Sequence, residues 1–238
     1  MAKTVQRHFN EFFSTLDRKL DKDLRGHLKN VYGTLALSVF AAAAGAYVHV
    51  ATDILQGNFL VGIGSLVALF ALYTTPHSRE NETKRFAYLM LFALATGLTT
   101  GPLIELALFI EPSIIVTAFL VTCSIFACFS LAALNAPDRK YLYLGGALLS
   151  CLSTLFWLSL ANLFLGSRLL FQIELYVGLA VMCAFILYDT QMIVEKRRRG
   201  DDDYIWHSVD LFIDFVQIFR RLLIILAQKE NRNKKRKD

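Results

Sequence analysis

Long apolar runs separated by short polar connections restrict the fold of this chain more than any other feature. Residues 1–30 hold eleven charged side chains, whereas residues 31–75 hold only Asp53. A soluble fold spreads charge along every element, but each charge at the centre of a bilayer costs about 2.5–3.5 kcal/mol. Charged residues make up only 19% of the chain, against about 25% in typical soluble domains. The sequence therefore predicts an integral membrane protein, and it argues against a disordered chain, a nucleic-acid-binding module and a typical cytosolic enzyme.

The apolar runs do not alternate with polar residues, so they predict helices rather than the strands of a barrel. About 20 apolar residues cross the hydrocarbon core as a helix. The predicted spans lie near residues 31–52, 57–75, 86–110, 113–134, 141–163 and 169–193. A seventh segment, 205–228, is weaker because it contains two aspartates and two arginines. The expected fold is an all-α membrane bundle over residues 31–228, with an N-terminal segment at 1–30 and a basic tail at 229–238.

Lysine and arginine counts between the spans predict the orientation. The N-terminal segment carries seven, and the connections after spans one to six carry zero, three, zero, two, one and four. This alternation places the N-terminus in the cytosol. Six more basic residues follow Gln228, and two alternatives stay open for them. Either the last segment enters the membrane without crossing it, or the tail escapes the positive-inside rule.

The basic tail has two further interpretations besides the nucleic-acid binding that its composition suggests. Beside a membrane segment, anionic lipid headgroups attract such a patch with about 1 kcal/mol per basic residue. A solvated tail without a partner is the simpler expectation. The patch consists of Lys234, Lys235, Arg236 and Lys237.

Cysteine and histidine offer no sign of a metal centre. The four cysteines fall inside apolar runs without paired spacing, which is typical of small buried hydrophobic residues. We expect no disulfide framework, no zinc and no cofactor. Three histidines lie near span ends and receive no role. The cysteines are Cys123, Cys128, Cys151 and Cys183, and the histidines are His49, His77 and His207.

Acidic residues inside apolar segments are functional candidates, because an ionised acid within the membrane carries a large free-energy cost. Asp189 lies near the end of the sixth span. In the last segment, four polar residues spaced by four, three and four positions share one face of a helix. An interfacial helix would show a broad polar face, whereas this stripe is about one residue wide, so the pattern favours a helix at the centre of the bundle. The stripe is Asp210, Asp214, Gln217 and Arg221.

Two acids that meet away from water tend to share one proton, because low dielectric and mutual repulsion both disfavour two charges. Carboxylate oxygens also suit hard cations such as Ca²⁺. Such a pair predicts a proton-sensitive latch on a cation path. Counting depth from the helix ends favours Asp210 over Asp214 as the partner of Asp189. Glu105 lies near the non-cytosolic end of the third span, and Glu174 lies early in the sixth span. Both are candidates for an outer mouth of the path.

Five sequence motifs resemble the Bax inhibitor-1 family, and the similarity extends over essentially the whole chain. They lie at 76–78, 111–119, 175–179, 188–191 (Tyr-Asp-Thr-Gln) and 203–215. The resemblance implies an endoplasmic-reticulum membrane protein that suppresses apoptosis, permits a pH-dependent Ca²⁺ leak and dampens the unfolded-protein response. It also implies a seven-helix bundle with the last helix surrounded by the others. By motif, the latch is Asp189 with Asp214, which moves Asp210 to second place.

Three functions of other kinds compete with the leak channel. An intramembrane aspartyl protease would need Gly-x-Gly-Asp around its second aspartate, whereas Asp214 follows Phe212-Ile213, so we expect no enzyme. A non-conducting regulator would act by binding membrane proteins of the death pathway, such as Bcl-2-family proteins or sensors of endoplasmic-reticulum stress. A proton/Ca²⁺ antiporter would use the same acids to exchange ions. The expected partners are therefore Ca²⁺, H⁺, membrane lipids and such proteins, and no nucleic acid.

Overall fold

A computed structural model of the protein describes residues 21–52, 57–137 and 139–236. These residues form seven α-helices and one short 3₁₀ helix at Leu142–Leu144, with no β-strand among them. The α-helices are α1 (Lys22–Ala51), α2 (Phe59–Thr74), α3 (Glu82–Ile110), α4 (Ser113–Asn135), α5 (Gly145–Leu165), α6 (Arg168–Arg198) and α7 (Tyr204–Lys234). The predicted fold class is confirmed, and each predicted span lies within or close to one helix.

The helix boundaries follow local capping chemistry. Asn58 caps α2 by accepting a hydrogen bond from the Val61 N–H at 3.1 Å. Gly166 ends α5 in the left-handed conformation with φ of 61°, which glycine adopts without the steric cost of a Cβ. Ser167 then caps α6. The largest departures from the predicted spans are at the start of α1, which already includes Lys22, and at the end of α7, which continues to Lys234. A helix can continue past its apolar stretch into a charged segment, so hydropathy does not mark where it begins or ends.

Five of the described helices are long and apolar enough to cross a membrane, namely α1, α3, α4, the 142–165 segment containing α5, and α6. Helix α2 is apolar but has only 16 residues. Helix α7 has 31 residues, but it is too polar to join these five on length and composition. Its stability in a membrane must therefore come from packing against other helices rather than from its own hydropathy.

The described residues form two compact units. We call residues 21–30 with 124–204 the α6 unit, and residues 31–123 with 205–236 the α7 unit. The unit boundaries fall inside α1 and α4, so each of these helices contributes to both units.

Helix α7 is enclosed along most of its length. Between Tyr204 and Gln228 only Ile213 is exposed, at 37%. Within the α7 unit, α7 touches α1, α2, α3 and α4 through the pairs Ser208–Val31, Trp206–Tyr73, Phe212–Phe92 and Phe215–Phe119. An interfacial helix would leave one whole face exposed, so burial argues against the interfacial alternative, and α7 lies among α1, α2, α3 and α4 of its own unit.

Helices α1 and α3 approach each other at backbone distance. A Cβ on Gly97 would collide with the backbone of Ala42, and a Cβ on Gly45 would collide with the backbone of Leu94. Small residues permit such close packing between membrane helices, where van der Waals contact replaces the hydrophobic effect as the driving force.

The end of α7 lies beside the end of α3. The Lys234 Nζ donates to the Ile110 carbonyl at 2.5 Å and lies 3.6 Å from the Glu111 carboxylate. Phe212 packs against Phe92, and Arg220 binds Thr100 further along both helices, so α7 runs along α3 in the same direction. Complete crossing and partial entry of the last segment both stay predictions.

The cysteines depart from the sequence-based expectation of burial. Cys128 and Cys151 are exposed on α4 and α5, and Cys123 and Cys183 are half-buried. In a membrane protein an apolar helix surface faces lipid, so cysteine in an apolar run does not require a position inside the protein.

Candidate functional site

Asp214 is the most deeply buried of the predicted site residues that the structure describes. Its side chain lies on α7 in the α7 unit, and the residue is only 4% exposed. Buried apolar side chains surround it along its own helix: Leu211, Phe215 and Ile218. A carboxyl group in such a position is costly in its charged form unless a partner or a proton compensates it. Asp214 therefore has the environment expected of a proton-sensitive acid.

The other acids of the predicted latch are less buried. Asp189 is half-buried on α6 in the α6 unit, and Asp210 is half-buried on α7, as are Gln217 and Arg221. Depth counting favours Asp210, but burial singles out Asp214, because Asp210 lies one turn nearer the start of α7. The pairing of Asp189 with Asp214 stays a prediction.

The segment around Asp189 is fixed by its neighbours on α6. The Tyr188 ring packs under Gly145, where an added Cβ would approach the ring to 2.7 Å. Thr190 is fully buried. The stretch of α6 that carries Asp189 therefore packs closely against α5 at Tyr188.

Gln191 organises the turn that follows α4, a role that the sequence analysis did not assign. Its Oε1 accepts a hydrogen bond from the Tyr141 N–H at 2.6 Å. Its amide nitrogen donates to the Ala133 and Pro137 carbonyls, each at 3.2 Å. The residue is 6% exposed, so it links α6 to the 133–141 turn through three buried or partly buried bonds. The motif position of Gln191 is the one signal in the sequence that could have indicated this role.

Glu195 forms a second link to the same turn, and the sequence analysis also missed it. Both of its oxygens accept hydrogen bonds from Arg139, and Oε1 accepts another from Arg199 at 2.8 Å. Glu195 lies beyond the apolar stretch of α6, and the residue is 6% exposed. The hydrogen bonds from Arg139 lower the pKa of the Glu195 carboxyl, and the one from Arg199 adds to the effect. Arg197 similarly binds Asp23 of α1 through two donors.

Acid is expected to remove the contribution of Glu195 to stability. Its pKa is lowered on folding, so the stabilisation is present above the unfolded pKa and is lost as pH falls through the folded pKa. Melting curves of wild type and Glu195→Gln should therefore differ at neutral pH and converge in acid. The exposed Glu80 supplies a control, since Glu80→Gln should follow wild type at every pH. A constant difference between wild type and Glu195→Gln over the whole range would contradict this account.

The candidate outer acids do not form a carboxylate cluster within either unit, among the residues that the structure describes. Glu105 in the α7 unit has a side chain that is 71% exposed and lies 3.7 Å from His49 Nε2. The His49 Nδ1 accepts the Gly57 N–H at 2.8 Å, which leaves Nε2 to carry the proton toward Glu105. Glu174 is half-buried on α6 in the other unit. The joint outer mouth stays a prediction, and His49 is a contact that the sequence did not indicate.

In the described part of the basic patch, Lys234 makes side-chain contacts with another helix end, and Lys235 and Arg236 lie in a turn. Lys234 forms the contacts to Ile110 and Glu111 given above. Lys235 and Arg236 are exposed. Lys237 lies outside the described residues. Their binding to lipid headgroups stays a prediction.

Comparison with known proteins identifies relatives over nearly the whole chain. Residues 24–231 match the family model described as "Inhibitor of apoptosis-promoting Bax1". The chain is similar to Bax inhibitor 1 of Rattus norvegicus, at 54% identity over 211 residues and 89% of each chain. It is similar to the human protein of that name at 53%, with the same coverage. The Arabidopsis thaliana protein is 43% identical over 212 residues, which are 89% of this chain and 84% of that one. The chain is therefore a multi-pass membrane protein of the Bax inhibitor-1 family.

Proposed function

We propose that this protein suppresses apoptosis from the endoplasmic-reticulum membrane by acting as a pH-sensitive Ca²⁺ leak, with its N-terminus in the cytosol. Asp189 and Asp214 form the latch, and a shared proton controls their interaction. The leak lowers the Ca²⁺ content of the lumen and so moderates the unfolded-protein response. In this proposal the protein is not an enzyme.

The observation that carries the proposal is the burial of Asp214 at 4% exposure on the enclosed helix α7. The names of its relatives, Bax inhibitor 1, support the link to apoptosis. An acid has no packing advantage over leucine at such a position, so a membrane protein retains it for proton or cation chemistry. For a latch controlled by one shared proton, the open fraction changes by up to about tenfold per pH unit.

Purified protein in Ca²⁺-loaded liposomes tests this proposal. Wild type should give a passive leak that steepens with acid on the cytosolic side. Asp189→Asn and Asp214→Asn should each lose most of this pH response, because an amide cannot bind or release the shared proton. Asp210→Asn is the matched variant on the same face of α7, and it should keep the response.

The same assay separates the alternatives. Flux that requires an opposing proton gradient identifies a proton/Ca²⁺ antiporter. Absence of flux in correctly reconstituted protein leaves the regulator that acts by binding Bcl-2-family proteins or stress sensors as the remaining alternative. If both Asp189→Asn and Asp214→Asn retain the wild-type pH response, the latch assignment is wrong.

A further inference from the structure

The α7 unit contains an apolar cavity of about 470 Å³ between α1, α3, α4 and α7. Its walls are almost entirely carbon and include Ala43, Ile104, Leu108, Val116 and Phe219. From Thr96 to Leu108 along α3, the cavity extends over about 18 Å at 1.5 Å per residue. Its volume lies within the range of about 300–1,000 Å³ that is typical of small-molecule sites. The shape and lining suit a single alkyl chain.

A cationic side chain adjoins one end of this cavity. The Arg220 Nε donates to the Thr100 Oγ1 at 2.9 Å, and its Nη2 donates to the Thr99 Oγ1 at 3.1 Å and the Thr96 carbonyl at 3.2 Å. Thr96 and Thr100 line the cavity. Arg220 also lies one helical turn beyond Val216, a lining residue, on the same face of α7. Arg220 is not itself a lining residue, but it adjoins the cavity through hydrogen bonds to two residues that are, Thr96 and Thr100.

Among the residues that the structure describes, no acid pairs with Arg220. Across the described ranges, its partners are two threonine hydroxyls and one backbone carbonyl, and its Nη1 donates to no protein atom. Arg220 is half-buried and lies more than about 20 Å along α7 from either helix end. Neutral acceptors do not neutralise a partly buried cation, and charges inside a membrane protein are normally paired. A carboxylate is the group that best matches the planar guanidinium.

We infer that this cavity binds a long-chain fatty acid, with its carboxylate on Arg220 and its alkyl chain between α1, α3 and α4. Two observations favour a fatty acid over a phospholipid. The headgroup of a phospholipid stays at the membrane surface, whereas Arg220 lies near the middle of α7. The cavity also has the size and length for one chain rather than two. The inference is independent of the proposed ion leak, since it concerns other residues and needs no flux.

Photolabelling tests this inference. The full-length protein in phosphatidylcholine nanodiscs is irradiated with palmitic acid that carries a diazirine in its chain, and the labelled peptides are identified by mass spectrometry. Labels should fall on the cavity-lining parts of α1, α3 and α7. Unlabelled palmitic acid should compete about tenfold or more better than hexadecanol, because only the acid gains a charge-assisted hydrogen bond. Arg220→Gln should remove this preference while still allowing hexadecanol to compete.

A pair of neighbouring alanines provides a control that keeps Arg220 intact. Ala43 and Ala44 are both exposed on α1, but only Ala43 lines the cavity. Ala43→Phe should fill the cavity and reduce labelling by about tenfold or more, as loss of several buried CH₂ groups predicts, whereas Ala44→Phe should label like wild type. Three outcomes would each overturn the inference. The Ala43→Phe and Ala44→Phe variants could label equally, or palmitic acid and hexadecanol could compete equally. The third outcome is that phosphatidylserine competes and palmitic acid does not.

Discussion

Gly97→Ala is expected to destabilise the protein by about 1–3 kcal/mol, even though alanine normally favours a helix over glycine. The new methyl group would occupy the position of the Ala42 backbone on α1. Because the obstacle is backbone rather than a flexible side chain, α1 and α3 must separate, and the contact at Gly45 is lost with it. Fluorescence-detected size-exclusion chromatography after heating should show a fall in melting temperature of about 5 °C.

A glycine-to-alanine substitution where there is open space should increase stability instead of lowering it. Gly62 lies on α2, where an added Cβ meets nothing within 4 Å. Gly62→Ala should therefore stabilise the protein by up to about 1 kcal/mol through helix propensity and reduced freedom of the unfolded chain. If the two variants shift the melting temperature in the same direction, the close contact of α1 with α3 does not limit stability.

Gln191→Leu is expected to loosen the turn between α4 and α5. Leucine preserves the bulk of the side chain but removes the acceptor of the Tyr141 N–H and the donor to two carbonyls. Loss of the partner of one buried backbone group costs about 1–3 kcal/mol. We expect a fall in melting temperature of about 5 °C, together with faster hydrogen exchange at the Tyr141 amide.

Met192→Leu is the matched control for this variant, since it changes the adjacent residue on α6 by a nearly volume-conserving exchange. It should leave both readouts close to wild type. Unchanged exchange at Tyr141 in Gln191→Leu would show that another group orders the 133–141 turn.

The helices were predictable from the sequence because a helix needs about 20 apolar residues to cross the hydrocarbon core of a bilayer, and such runs are easy to recognise. The width of the polar stripe also predicted the enclosed position of α7. Depth counting was less informative, since it favoured Asp210, whereas the family motif favours Asp214, and Asp214 is also the more buried of the two in three dimensions. Sequence position measures distance along one helix, whereas burial depends on the other helices that cover it.

The contacts that sequence analysis missed join residues far apart in the chain. Arg139 and Glu195 are 56 positions apart, and Arg220 and Thr100 are 120 positions apart. No local periodicity signals such pairs. In the sequence, Arg220 argues only against a seventh span. Its threonine partners lie on α3, and the sequence does not indicate that α3 and α7 are neighbours.

The polar character of α7 has a consequence for synthesis of the protein. Asp214 and Arg220 each oppose insertion of an isolated helix by the translocon, by roughly 2.5–3.5 kcal/mol at the helix centre. Helices α1 to α4, which cover α7 in its unit, all emerge from the ribosome before it. The order of the helices along the chain thus places the least insertable segment last, when the surfaces that receive it are already in the bilayer.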